Sequence, residues 1–60
     1  MTKEQAEYVR ELRGERGYSW RRLHELYCER YDKENMWPGN QIEGRDLCVE
    51  ASVILEVEIE

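Results

Sequence analysis

Apolar residues recur every three to four positions on both sides of a short break, Gly14–Tyr18. That rhythm places two helices side by side in the first half of the chain. Thr2 followed by Gln5 has the spacing of a capping box, with Thr2 as the N-cap. Ala6, Tyr8, Val9 and Leu12 then follow at helical spacing, and Gly14 offers a stop because it takes the left-handed conformation without a Cβ clash. A first helix is therefore expected from Lys3 to Arg13. Ser19 is the expected N-cap of a second helix. Tyr18 before it and Leu23 after it occupy the two positions of a hydrophobic staple. Trp20, Leu23, Leu26, Tyr27 and Tyr31 give that helix a wide apolar stripe.

The second half has a different texture. Trp37 precedes Pro38 and is pushed out of helical geometry, and Pro38-Gly39 suits the centre of a type II turn. Asn40 with Glu43 repeats the capping spacing, so a third helix is expected from Gln41 to about Leu55. Gly44 weakens it by about 1 kcal/mol relative to alanine. Ile42, Leu47, Cys48, Val49, Ala51, Val53, Ile54 and Leu55 cover most of its circumference. A helix that is apolar nearly all round needs covering on more than one side. In so short a chain, a second copy can supply that cover, and a homodimer or other homo-oligomer is expected. One conflict remains at the end. Val53, Leu55, Val57 and Ile59 alternate with Ile54, Glu56, Glu58 and Glu60, mostly a strand pattern. The helix is expected to hold through Leu55, leaving the last five residues frayed or extended, in the extended case able to pair with another strand.

Sixty residues make one domain, spanning residues 1–60, that buries only about 60% of its unfolded surface. Apolar residues at 40% suffice for a core despite 38% charged residues. No apolar run approaches the roughly 20 residues of a membrane span, and the opening Met-Thr-Lys-Glu-Gln lacks the apolar segment of a signal peptide. No membrane partner is expected, and a cytoplasmic location is.

Charge is unevenly distributed. Residues 1–33 carry eight basic and seven acidic side chains, a net of +1, and residues 34–60 carry one against seven, a net of −6, which sum to the overall −5. An acidic balance disfavours general nucleic-acid binding, which draws on phosphate neutralisation. A local basic cluster can still bind. Arg10, Arg13, Arg16, Arg21 and Arg22 form such a cluster within thirteen residues. Its plainest role is a solvated helix face.

The run Val9-Arg10-Glu11-Leu12-Arg13, then Gly17-Tyr18-Ser19-Trp20-Arg21-Arg22-Leu23, resembles the first half of a helix-turn-helix DNA-binding domain. In such families a third helix follows after three or four residues and enters the major groove. Here it starts about nine residues after Tyr31 and carries Glu43, Asp46 and Glu50 against Arg45 alone, a poor complement to phosphate. The segment Gly39-Asn40-Gln41-Ile42-Glu43-Gly44-Arg45-Asp46-Leu47-Cys48 is similar to the C-terminal part of small uncharacterised phage-type proteins, a resemblance that implies no mechanism. The expected fold is thus all-α: a three-helix, helix-turn-helix-like small domain with an extended C-terminal tail.

If DNA is the partner, Arg13, Arg16, Arg21 and Arg22 are the expected phosphate contacts, with Ser19 and the second helix start adding an anion site. Trp37 is the candidate anchor for a protein partner, or else a lid folded back on the core. His24 and Cys28 share a helix face, and Cys48 could add a third metal ligand, but a structural zinc site wants four. Buried free thiols are the ordinary alternative; a Cys28–Cys48 disulfide would be out of place in a reducing compartment. Tyr8, Tyr18, Tyr27 and Tyr31 could stack on bases but fit better as core and staple residues with their hydroxyls at the surface. No metal and no cofactor are expected. Nor is catalysis: His24 has no serine in helical register, no carboxylate pair sits in an evidently apolar setting, and no glycine loop is built to hold phosphate. The expectation is a non-enzymatic binding module. It either contacts DNA through the arginine cluster or acts as an interaction or inhibitory adaptor whose acidic half could imitate DNA.

Overall fold

The computed structural model describes residues 1–35 and 41–59. The chain folds into three helices with no strand among the described residues: α1, Lys3–Arg10; α2, Trp20–Tyr31; and α3, Gln41–Leu55. The tail's strand-like alternation therefore yields to helix through Leu55. Pro38-Gly39, the Asn40 cap and Trp37, whether as anchor or lid, lie outside the described residues.

Local chemistry accounts for the starts of α1 and α2. The Thr2 hydroxyl accepts from the Gln5 amide at 3.2 Å while the Gln5 side chain accepts from the Thr2 amide at 2.7 Å, completing the capping box. Ser19 caps α2 by accepting from the Arg22 amide at 3.3 Å.

The end of the first helix departs from expectation. Gly14 does not stop it. The helix widens into a π-turn over Glu11–Glu15, where the Arg16 amide donates to the Glu11 carbonyl five residues back at 3.0 Å. Gly17, at φ 66°, takes the left-handed conformation instead, and the Tyr18 amide closes the end on the Leu12 carbonyl at 3.0 Å. The extra residue that a π-turn accommodates moves the stop from one glycine to the next.

α3 ends by the same device. Glu56 is left-handed at φ 55°, and the Val57 amide donates back to the Ser52 carbonyl at 3.2 Å, the six-to-one bond of a Schellman motif. Ser52 then tethers the tail. Its hydroxyl donates to the Cys48 carbonyl at 2.7 Å and accepts from the Ile59 amide at 3.0 Å.

α3 lies across both earlier helices and contacts each more extensively than they contact one another. The buried core is Ala6, Val9, Leu12, Leu23, Tyr27, Cys28, Cys48 and Ala51. α1 and α2 meet most visibly through Tyr8 and Tyr31, packed edge to face at 5.7 Å between ring centroids. Gly44 explains how closely α3 approaches: a Cβ there would fall onto the Trp20 carbonyl, 2.6 Å from its carbon. The glycine that weakens α3 as an isolated helix is what lets it cross the start of α2.

Candidate functional site

Two surfaces present themselves, the arginine-rich turn between α1 and α2 and the outer face of α3.

At the turn the structure divides the arginines. Arg13 points inward: its guanidinium donates to the Tyr18 carbonyl at 2.8 Å and sits 5.0 Å from the Trp20 ring centroid. It braces the reversal of the chain after Gly17 and stacks on the first residue of α2. Arg22 is exposed but paired with Glu25 at 2.8 Å, one helical turn on. Arg10, Arg16 and Arg21 are exposed and make no ion pair with any described residue. Ser19 is occupied as a cap. Of the residues expected to meet phosphate, Arg16 and Arg21 thus remain open to a ligand, and Arg13 holds the fold. Arg30, unremarkable in sequence, lies over Tyr8 at 4.6 Å and Tyr31 at 5.4 Å.

The tyrosines are packing residues, with one departure from expectation. The Tyr31 hydroxyl is buried and has no hydrogen-bond partner among the described residues; the Trp20 Nε1 and His24 Nδ1 atoms share that condition.

His24 and Cys28 do meet, Nε2 to Sγ at 3.3 Å, one turn apart inside α2. Cys48 does not complete a site with them: no three metal-ligating side chains converge among the described residues. Both cysteines are buried free thiols. Burial raises the Cys28 thiol above its ordinary value, helped by the Asp32 and Glu43 charges. Burial also raises Cys48, opposed by the nearby Arg13 guanidinium. Both therefore stay protonated at neutral pH, and a protonated thiol is a poor nucleophile.

The outer face of α3 is the second surface. Its inner side buries Cys48 and Ala51, with Leu47, Ile54 and Leu55 packed at the margins. Outside, Ile42 is 75%, Val49 56% and Val53 73% exposed. At intervals of seven and four residues these three lie in one stripe. Arg45 borders it on the α2 side, 5.8 Å from the Trp20 ring centroid. Glu50 borders it on the other side and accepts from the Met1 ammonium at 2.8 Å. Between Arg45 and the tail, a groove of about 450 Å³ lined by Arg13, Trp20, Arg45, Cys48, Val49 and Ile59 continues the apolar surface inward. The excess of apolar residues in α3 is legible in the sequence, but which of them stay outside depends on Gly44 fixing the helix's rotation against Trp20.

No helix among the described residues is long and apolar enough to cross a membrane. No family model, curated protein or solved structure matches the chain.

Proposed function

We propose that the protein is a non-enzymatic interaction module that works through the outer face of α3. One observation carries this reading: three large aliphatic side chains, Ile42, Val49 and Val53, stand mostly in water along one stripe of a helix whose opposite side already serves the core. Single exposed aliphatic residues are ordinary, but a line of them on a regular helix has the pattern of helix-to-helix recognition. Such a stripe can stay soluble on a small protein because charged Arg45, Asp46 and Glu50 interleave with it.

A second reading, DNA contact through the arginine-rich turn, is favoured by the exposure of Arg16 and Arg21 without ion pairs among the described residues. It is weakened by the inward role of Arg13 and by the net charge of −5.

Sedimentation of the pure protein with and without short duplex DNA separates the two. The interaction reading expects self-association that needs no DNA and disappears in Val49→Lys. A protein that stays monomeric at millimolar concentration and co-sediments with DNA through Arg16 and Arg21 overturns it.

A further inference from the structure

The charges bordering the α3 stripe have an order that selects one occupant. Successive helical residues turn by about 100°, so Arg45 and Glu50 stand about 140° apart, on opposite edges of the line Ile42–Val49–Val53. Their side chains agree, Arg45 leaning toward Trp20 of α2 and Glu50 toward Met1. In heptad terms Ile42 and Val49 fall at d, Val53 at a, Arg45 at g and Glu50 at e.

Resting on the interaction reading above, we propose that the occupant is a second copy of this chain, its α3 packed parallel to the first about a twofold axis. Parallel packing sets opposite edges face to face, and a g residue meets the e residue five positions on in the partner. Arg45 of each copy then faces Glu50 of the other, two opposite-charge pairs from one symmetry operation. Antiparallel packing sets each edge against itself, Arg45 beside the edge that carries Arg45 in the partner and Glu50 beside the edge that carries Glu50, and brings neither to its opposite charge. The chain's own pattern thus distinguishes the two orientations.

Asp46 sits within the stripe at an a position, where the two copies of it face one another. It acts against tight pairing. α3 is only about 22 Å long at 1.5 Å per residue, and its stripe offers three large apolar side chains where a standard interface engages roughly 20–30 residues a side. The dimer is therefore a weak one, formed at high micromolar concentration and tightened about tenfold or more when Asp46 is replaced by leucine.

Charge exchange provides the test. Arg45→Glu and Glu50→Arg, each checked for wild-type helicity by circular dichroism, are sedimented singly and as an equimolar mixture. Each variant alone places two like-charge pairs across the axis and is expected to be monomeric where the wild type dimerises. In the mixture both pairs become complementary, and a heterodimer of wild-type strength is expected. A wild type that is monomeric up to millimolar concentration overturns the proposal. So do single variants that associate as well as the wild type, or a mixture that fails to recover association. Val49→Lys keeps the two levels apart. If it abolishes association while the charge variants change nothing, the α3 surface stands and the parallel register falls; association that survives Val49→Lys removes both.

Discussion

The Cβ that Gly44 lacks would lie 2.6 Å from the carbonyl carbon of Trp20, so α3 crosses the start of α2 backbone on backbone. Gly44→Ala is accordingly expected to destabilise the protein, although alanine is the better helix former by about 1 kcal/mol. The neighbouring atoms are main chain and cannot swing aside, so the helices must separate. A loss of about 2 kcal/mol or more in chemical denaturation is expected, in the range of overpacked cores. A Gly44→Ala protein more stable than the wild type would mean that the two helices do not touch there.

Arg13 and its neighbours should separate by stability. Arg13→Ala removes both the bond to the Tyr18 carbonyl and the contact with the Trp20 ring, and about 1–2 kcal/mol should be lost. Arg16→Ala and Arg21→Ala, at exposed positions, should stay within about 0.5 kcal/mol of wild type. Urea titration of the three variants is sufficient. Equal effects would remove the structural role given to Arg13.

The two left-handed helix ends predict changes of opposite sign. Gly17 is at φ 66°, where a side chain is strained, and Gly17→Ala should cost about 1 kcal/mol. Glu56 is at φ 55° and already bears that strain, so Glu56→Gly should gain up to about 1 kcal/mol. Thermal melts of both read the signs directly, and a stabilising Gly17→Ala would contradict the helix end described here.

Much of this fold was legible, and the line between what could be read and what could not is physical. Thr2 and Ser19 are readable as caps because a cap bond spans two or three residues, and the expected bounds of α3 follow from the capping spacing of Asn40 and Glu43 and the apolar residues after it. Gly14 and Gly17 offer the same stop three residues apart, so spacing alone does not choose between them. The choice between them depends on a π-turn that no spacing announces. The arginines read as one cluster because only the fold shows that Arg13 reaches a carbonyl brought near by Gly17. His24 and Cys28 were correctly placed on one face, but Cys48, on another helix, joins the core and not a ligand set. The exposed stripe was half-legible. The apolar excess of α3 was plain, whereas its rotation, which decides that Ile42, Val49 and Val53 face outward, is set by Gly44 against Trp20.

Alkaline pH should weaken the fold. Burial raises the thiols of Cys28 and Cys48 above their ordinary value of 9.0 and the Tyr27 phenol above 10.0. Once the pH passes those ordinary values the unfolded chain loses protons that the folded one still holds, so stability present below about pH 8 falls as the pH rises. The melting temperature is expected to decline between about pH 8.5 and 10.5. In the Cys28→Ser, Cys48→Ser double variant the decline should be shallower, with Tyr27 supplying what remains. A melting temperature flat across that interval would mean that the thiols titrate normally and are not buried as described.

α3 is proposed to serve the core on one side and a partner on the other. Amide chemical shifts of the pure protein followed from micromolar to millimolar concentration test this most directly. Movement concentrated at Ile42, Arg45, Val49, Glu50 and Val53, with the core residues Val9 and Leu23 unchanged, is the predicted result. Spectra that do not change with concentration, or that change at Arg10 to Arg22 and leave α3 still, would contradict it.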